Sequence, residues 1–528
     1  MKEFLEQRHK PTLAALLAYK DTMRIADKDW HHTVTLFELG PYATLAHLRK
    51  LREEVNNYMP ATSTPDGHKS ELPLLDFIKW LIQQKRPTAT TNIIIKFAFD
   101  GANMTSKRGR MQEIGTFELI TDDLSLAEVQ SPNNCHQYII YIGGESKEEF
   151  ERELESVVPT IEYLMKNKVE VNGQEFDLEP VLVCDLKALV TMLGLYCCYH
   201  PKSHWKCPWC LVSAITIHDF DIVQWPLRDE KEMMELAEKA AKIPTEGGKD
   251  TFARENYGIT GKPVLPFGLD HIIPCMLHCL MGITKKLFEL LVEETYENEN
   301  MAAKYLLILE EINIKLIPEK SSGKTKKKRT LHERVEKSCF GHPQHQAIIE
   351  HHQRFLMVLQ EGAQTPQQQK KVADVIKVWT SYHKLISLAV YDKEEWLTEA
   401  REFGHAFTAR YDKSEVTPYI HIFMYHLGFY LEKFGSVQRF ANFGIESKHS
   451  VNKKTIQQSS SHFKQTKNNN VCKQQLNYDW RITHHQSQNL VPIHVPKFTR
   501  TPVTPKKALW STRNLAIHPD MEKYIVKQ

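Results

Sequence analysis

Residues 93–101 read IIIKFAFDG, and this short run decides the fold class of the chain. β-Branched and aromatic residues fill it until it reaches an acid and a glycine, which predicts a buried strand that ends at Asp100. Alternating runs at 111–121 and 137–142 predict two more strands. The apolar run VLVC at 181–184 predicts a fourth strand, which again ends at an acid, Asp185.

Helical patterns separate and follow these strands. Ser146 and Glu149 have the spacing of a capping box, which predicts a helix from there towards residue 168. Residues 186–195 continue as a second helix, and residues 230–435 are mostly helical. The order strand, strand, strand, helix, strand, helix, with acids on the first and fourth strands, is the layout of the RNase H-like nuclease fold.

Asp100 and Asp185 each lie where an apolar strand stops. Functional groups tend to collect at the carboxyl ends of strands in open sheets, and two neighbouring carboxylates repel each other unless a cation lies between them. Mg²⁺ or Mn²⁺ takes such oxygen ligands, and a pair of ions about 4 Å apart can cleave a phosphodiester. The alternative for each aspartate is an ordinary turn or a helix N-cap.

Cys207-Pro-Trp-Cys210 has the spacing with which two thiolates bind one tetrahedral Zn²⁺. The chain has no second Cys-x-x-Cys, so other residues must complete the site. His421 and His426 fit best, although five residues of helix turn their side chains about 140° apart, so that one of them must lie at a helix end or a distorted turn. A redox role for the cysteine pair is the alternative, but the surrounding pattern is not thioredoxin-like. The other candidate ligands are Cys197, Cys198, His200, His204, His271, Cys275, His278 and Cys279.

These motifs, in this order, resemble the catalytic core of the V(D)J recombinase and of the related Transib-type DDE transposases, with the chain as a distant member. The resemblance covers roughly residues 90–455. Phe-x-Phe-Asp100-Gly resembles the first catalytic aspartate of that family. Cys184-Asp185-Leu-Lys and the Cys-x-x-Cys after it resemble the second aspartate and the first zinc half-site. Leu277-His278-Cys279 resembles a motif of the family's helical insertion, and His421-x4-His426 resembles its second zinc half-site.

The catalytic glutamate of the family matches Glu446, which lies in the stretch SVQRFANFGIESKH at 436–449. The resemblance therefore implies a DNA endonuclease and strand transferase that acts in the nucleus as a homodimer, with or without an accessory subunit. It implies two kinds of metal site, with Asp100, Asp185 and Glu446 binding Mg²⁺ or Mn²⁺, and Cys207, Cys210, His421 and His426 binding a structural Zn²⁺.

Basic side chains near these motifs could bind the DNA backbone. From residue 453 to the end, the chain has 13 lysines or arginines against three acids, which is typical of a segment that meets phosphates. A merely solvated, partly disordered tail is the alternative, and the basic run at 324–329 could equally serve nuclear import. The predicted DNA-binding residues are Lys107, Arg108, Arg110, Lys448, Lys453 and Lys454.

Shifts in composition and period divide the chain into five predicted regions. They are a helical N-terminal region that could mediate dimerisation or DNA contact (1–90), the first part of the RNase H-like core (91–200), a helical insertion with the zinc site (201–430), the glutamate-bearing helix of the core (431–455) and a basic, partly disordered tail (456–528). We therefore expect an α/β fold in which an RNase H-like mixed sheet with flanking helices is interrupted by a large, mostly helical, zinc-containing insertion.

The totals exclude several other classes of protein. Ten cysteines in 528 residues are too sparse for a disulfide scaffold, and no apolar run approaches the roughly 20 residues that cross a bilayer. With no signal-peptide pattern at the start either, we expect a soluble intracellular protein. The residues before Asp100 show no metal-ligand spacing, unlike the DNA-recognition modules of the family. A catalytically silent descendant that binds DNA or protein, and a nuclease for structured RNA, are the alternatives.

Overall fold

A computed structural model describes residues 12–36, 43–85, 87, 92–103, 111–295, 298–319, 329–387, 392–459 and 470–490. Its strands are β1 (Thr62–Ser63), β2 (Lys69–Glu71), β3 (Ile93–Asn103), β4 (Met111–Thr121), β5 (His136–Ile142), β6 (Val169–Val171), β7 (Gln174–Phe176) and β8 (Leu178–Leu182). The helices of the sheet region and the N-terminus are α1 (Leu13–Thr22), α2 (Trp30–Leu36), α3 (Leu45–Tyr58), α4 (Leu74–Lys85), α5 (Leu126–Val129), α6 (Lys147–Leu154), α7 (Val158–Lys166) and α8 (Leu186–Met192).

The remaining helices follow the sheet in the chain. They are α9 (Glu230–Ala240), α10 (Glu246–Glu255), α11 (Met276–Glu293), α12 (Glu299–Glu311), α13 (Leu331–Lys337), α14 (His342–Gly362), α15 (Pro366–Ile386), α16 (Lys393–Arg410), α17 (Pro418–Tyr425), α18 (Leu427–Phe434), α19 (Phe443–Ser459) and α20 (Val471–Ser487). The prediction that 230–435 is mostly helical is confirmed.

The fold is mixed α/β and is built on a six-stranded sheet in the order β1-β2-β5-β4-β3-β8. The β3–β4 ladder is antiparallel over its whole length, from Ile93 opposite Thr121 to Asn103 opposite Met111. The β4–β5 pair is also antiparallel, whereas β8 runs parallel to β3. All four predicted strands are present, although β3 continues past Asp100 to Asn103 and β8 ends at Leu182, three residues before Asp185. Strands β3, β5 and β8 point their carboxyl ends to the same edge of the sheet.

Two regions differ from the prediction. The N-terminal region at 1–90 was predicted to be helical, but β1 and β2 lie within it. They extend the sheet, because β2 pairs with β5 in antiparallel orientation. Residues 456–528 are not wholly a basic tail either, because α20 packs on β2 and β5 and on the N-terminal helices α1 and α3.

Helix α20 was not predicted, because its many amide and basic residues obscure the periodicity of its few apolar residues. Cys472, Leu476 and Trp480 recur every four residues and are all buried, as expected for one face of a helix. Polar contacts fasten the same helix to the N-terminal region. Arg481 Nε donates a hydrogen bond to Asp21 Oδ2 over 2.7 Å, and Trp480 Nε1 donates to the Val55 carbonyl over 2.8 Å.

The helical insertion shares its core with the sheet. One continuous cluster of buried apolar side chains runs from α4 and the strands through α11, α14 and α15 to α17. A second, smaller cluster lies within the N-terminal helices around Trp30. Among the described residues, no helix combines the length and the apolar character needed to cross a membrane.

Replacing the largest side chain of α20 tests whether this helix belongs to the core. Trp480 is 1% exposed and packs against Trp80 with ring centroids 4.7 Å apart. We expect Trp480→Ala to lower the free energy of unfolding by about 3–5 kcal/mol, because it leaves a cavity between α20 and α4. Lys454→Ala, at an exposed position of α19, should stay within about 0.5 kcal/mol of wild type in the same urea titration. An equally small effect of both substitutions would contradict this packing role.

Candidate metal centres

Three carboxylates meet at the edge of the sheet where β3, β5 and β8 end. One oxygen each from Asp100, Glu145 and Asp185 lies within 4.8 Å of the other two. The two predicted aspartates come together because β3 and β8 are parallel neighbours, so their carboxyl ends share an edge. Donors around an octahedral Mg²⁺ lie about 3–4 Å apart, so small side-chain rotations would let the three share an ion.

Asp185 combines this position with the alternative of a helix N-cap. Its Oδ1 accepts a hydrogen bond from the Ala188 backbone N–H over 2.6 Å, at the start of α8. The cap orients the carboxylate and uses only one of its two oxygens, and a carboxylate can accept from several partners. Asp185 can therefore cap α8 and bind a metal ion at the same time.

Glu145 was not predicted, although the signal was present in the sequence. It follows Gly143 and Gly144 directly after β5, so the third strand ends near an acid as the first and fourth do. Because β5 and β3 are both antiparallel to β4, they are parallel to each other and end at the same edge. Lys187, on α8, forms an ion pair with Glu145 and partly compensates its charge.

Glu113 adds a fourth, buried carboxyl group to this edge of the sheet. It is 2% exposed, and neither of its carboxylate oxygens has a hydrogen-bond partner among the described residues. Burial, together with the negative charges of Glu145 and Asp100, raises the pKa of Glu113 to about 9. A buried carboxyl group that lacks hydrogen-bond partners and lies beside other acids indicates a site suited to a cation.

Gly101 makes the approach of these acids possible. It lies opposite Glu113 in the β3–β4 ladder. A β-carbon at this position would lie 2.0 Å from Glu113 Oε1 and 2.9 Å from Glu145 Oε1. Any larger residue after Asp100 would therefore push the two glutamates away from the edge of the sheet.

Glu446 faces the same edge from the first turn of α19. Its partial burial and the negative charge of Asp100 raise the pKa of Glu446, while His278 and His449 oppose this shift. His278 Nε2 lies 3.7 Å from Glu446 Oε1, and the other ring nitrogen of His278 lies 3.1 Å from Cys275 Sγ. Glu446 thus lies beside the predicted aspartates, but its carboxylate stands outside the tight group formed by Asp100, Glu145 and Asp185.

Buried polar contacts hold α19 against the sheet at this place. Lys96 Nζ, on β3, donates to the Ala441 carbonyl over 2.9 Å, and Asn442 Nδ2 donates to the Val183 carbonyl over 3.1 Å. His449 Nε2 lies 2.9 Å from Asp100 Oδ2. Asn442, Glu446 and His449 therefore approach the end of the sheet together, as expected of residues three and four apart on a helix.

The four residues predicted to bind zinc form a second, wholly buried group. One donor atom from each of Cys207, Cys210, His421 and His426 lies within 4.8 Å of all the others. Cys207 Sγ lies 3.2 Å from His426 Nε2, and Cys210 Sγ lies 3.2 Å from His421 Nε2. Tetrahedral Zn²⁺ holds a sulfur and a nitrogen about 3.5 Å apart, so the group fits this ion. The other cysteine and histidine candidates do not join the group.

The two histidines converge because the helix breaks between them. His421 lies inside α17, whereas His426 follows its last residue, with φ −110° and ψ −28°, before α18 begins. The predicted helix end is thus confirmed. On the other side, the backbone N–H of Trp209 donates to Cys207 Sγ over 3.4 Å, and Arg228 Nη2 donates to the Cys207 carbonyl over 2.8 Å.

The predicted DNA-binding residues differ in their exposure and in whether the structure describes them. Lys448 is buried and ion-paired with Asp479, so the prediction that it binds phosphate is wrong in this structure. The reason is that α20, which carries Asp479, covers that side of α19. Lys454 is exposed and Lys453 half-buried on the same helix. Lys107, Arg108 and Arg110, and residues 324–328 of the basic run, lie outside the described residues.

The pH dependence of stability tests the crowding around Glu113. Its pKa is about 9 in the folded protein and about 4.5 for an unperturbed glutamate, so unfolding between these pH values releases a proton. Wild type without added Mg²⁺ or Mn²⁺ should therefore lose stability as the pH rises from 6 to 8, by up to about 1.4 kcal/mol per pH unit from this group. We expect Glu113→Gln to have a flatter profile, measured by thermal unfolding of the zinc-containing protein. The exposed control Glu170→Gln should have the same pH profile as wild type. If Glu113→Gln loses stability with pH as steeply as wild type does, the raised pKa of Glu113 is refuted.

Metal analysis tests the buried cysteine–histidine group. We expect purified protein to contain about one zinc per chain and Cys207→Ser to lose most of it, because a structural zinc needs all four ligands. Cys339 is exposed and lies outside the group, so Cys339→Ser is the matched control and should keep its zinc. Equal zinc in the two variants, measured by plasma mass spectrometry, would exclude Cys207 as a ligand.

Comparison with known proteins does not identify the chain. No protein-family model matches it, and no curated protein matches it in sequence. The two groups of side chains described above therefore carry the functional argument.

Proposed function

We propose that this protein cleaves DNA strands and transfers them, in the manner of a transposase or recombinase, through phosphodiester chemistry that depends on two divalent ions. The observation that carries the proposal is the meeting of Asp100, Glu145 and Asp185 within 4.8 Å at the end of the sheet, with Glu446 beside them. Four acids at one edge, with the buried Glu113 behind them, have the oxygen ligands that Mg²⁺ or Mn²⁺ prefers.

The topology supports an RNase H-like core. Strands β5, β4 and β3 are adjacent and antiparallel in turn, and β8 joins the far side of β3 in parallel. Beyond β8, Ile272 forms a single parallel bridge with Leu182, which is where a fifth strand of such a sheet would lie. An acid on the first strand, one after the fourth and one on a late helix complete the pattern of that fold, which hosts nucleases and transposases.

Each acid has a defined task in this proposal. Asp100, Glu145 and Asp185 would hold the ions at the sheet, and Glu446 would close the site from α19. The ions, when bound, lower the pKa of an attacking water or hydroxyl and stabilise the leaving oxygen. Asp185 keeps a constant orientation through its cap on α8, and Gly101 leaves the space in which Glu113 and Glu145 approach Asp100.

The zinc would act as a clamp rather than as a catalyst. Cys207 and Cys210 lie near the start of the helical insertion, and His421 and His426 lie near its end, shortly before α19. A zinc bound to all four would therefore join the two ends of the insertion and fix the approach of Glu446. Four protein ligands leave no open position for a reacting group, which is typical of a structural site.

DNA, a homodimer and a nuclear location belong to the same proposal. The basic residues support a nucleic-acid substrate: Lys454 is exposed on the helix that carries Glu446, and 13 lysines or arginines against three acids follow from residue 453 onward. A dimer would bring two DNA ends together for strand transfer.

Nicking of supercoiled plasmid tests the proposal. Wild type should nick DNA with Mg²⁺ or Mn²⁺ and not with EDTA. Asp100→Asn and Glu446→Gln should each reduce the rate by about 100-fold or more, because each removes a charged ligand of the ions that stabilise the transition state. Asp221 is 90% exposed and distant from the acids in the chain, so Asp221→Asn is the control for preparation and folding. Equal nicking by wild type and both site variants would rule out this active site.

A further inference from the structure

His449, on α19, lies next to the carboxylate of Asp100. It lies three residues after Glu446 on α19, so both side chains project from one face of the helix. Its Nε2 is 2.9 Å from Asp100 Oδ2, and its side chain is 7% exposed. Its other ring nitrogen is buried and has no hydrogen-bond partner among the described residues. Among the described residues, the ring therefore makes one hydrogen-bond contact, and this contact is directed at a candidate metal ligand.

The geometry of this contact suits a shared ion as well as a hydrogen bond. Adjacent donors of an octahedral ion at about 2.1 Å lie about 3 Å apart, close to the separation of His449 Nε2 and Asp100 Oδ2. Glu-x-x-His is also a spacing by which one helix presents a carboxylate and an imidazole to the same metal. The stretch 446–449 reads ESKH and has this spacing.

The surroundings leave the imidazole of His449 as the nitrogen donor that lies nearest to Asp100. Lys448 is ion-paired with Asp479. One ring nitrogen of His278 lies 3.1 Å from Cys275 Sγ, and the other lies 3.7 Å from Glu446 Oε1. Lys187 is paired with Glu145. Glu113 provides an independent sign that this edge is built for a cation, since its two buried oxygens have no partner among the described residues.

We propose that His449 is a nitrogen ligand of the ion that Asp100 and Glu446 bind, so that this position takes Mn²⁺ in preference to Mg²⁺. Mg²⁺ selects oxygen ligands, whereas Mn²⁺ accepts imidazole more readily and stands in the series of transition metals that nitrogen donors favour. The inference rests on the divalent-ion site of the proposed function, but not on which nucleic acid, if any, the protein cleaves.

Pulsed electron paramagnetic resonance of the zinc-containing protein with one equivalent of Mn²⁺ tests the assignment. Wild type should show modulation from a directly bound ¹⁴N nucleus, and protein labelled with ¹⁵N-histidine should show the ¹⁵N pattern instead. His449→Asn should lose the signal, whereas His278→Asn should keep it. Bound Mn²⁺ without nitrogen coupling in wild type, or coupling lost only in His278→Asn, would overturn the assignment of His449.

Titration calorimetry gives a second readout that does not depend on the labelled sample. Wild type should bind Mn²⁺ more tightly than Mg²⁺, and His449→Asn should weaken Mn²⁺ binding by about 10-fold or more while it changes Mg²⁺ binding less. Equal losses for both ions would mean that His449 only positions Asp100, and would refute the proposal.

The two proposals fail in different ways. Nitrogen coupling without any plasmid nicking would keep His449 as a ligand and reject the nuclease. Nicking that depends on Asp100, without nitrogen coupling, would keep the nuclease and reject His449 as a ligand. A normal melting temperature and zinc content in His449→Asn show that its losses do not come from misfolding.

Discussion

Repulsion between carboxylates at one edge of the sheet is the constraint on which the rest of the structure depends. Two unit charges within 4.8 Å of each other repel by about 3–4 kcal/mol at the effective dielectric of a protein surface. Asp100, Glu145 and Asp185 form three such pairs, and burial together with this negative charge raises the pKa values of Glu113 and Glu446 beside them. Lys187 offsets only part of this. These acids are therefore suited to a cation, and β3, β8 and the start of α19 hold them in reach of one another.

Helix α19 brings Glu446 to this edge from a distant part of the chain. Apolar packing alone would let the helix slide, but Lys96, Asn442 and His449 tie it to the strands through buried polar contacts. Asn452 exchanges hydrogen bonds with Gln137 on β5, so the helix is also fastened further along. Such contacts are costly to leave unpaired, and they therefore specify one register of the helix on the sheet.

The buried cysteine–histidine group acts at the other end of the insertion. It joins residues that are more than 200 positions apart, with Cys207 beside His426 and Cys210 beside His421. The insertion also shares its apolar core with the sheet, so it is not an appended domain that can reorient freely. The polar contacts of α19 and this group together restrict the position of Glu446, although the side chain of that glutamate is itself 46% exposed.

Local patterns in the sequence were sufficient for the four central strands, for the two aspartates near their ends and for both halves of the buried cysteine–histidine group. The period of apolar residues is a property of neighbours in the chain, and so is the spacing of Cys207 from Cys210. Glu145 could have been found by the same rule, because it too follows a strand. Glu113 could not, since inside a strand it resembles any other polar residue. Helix α20 and the burial of Lys448 were missed for a related reason, because each depends on a surface from another part of the chain.

The sequence by itself determined where most of the strands and helices form and which residue types lie near their ends, because those preferences act over a few residues. Only the tertiary structure decided which acids share an edge, which lysine is buried and which histidine approaches Asp100 across 349 positions. Contacts at such separations depend on parallel strand order, on the closure of the insertion and on the packing of α20, and no local pattern encodes them.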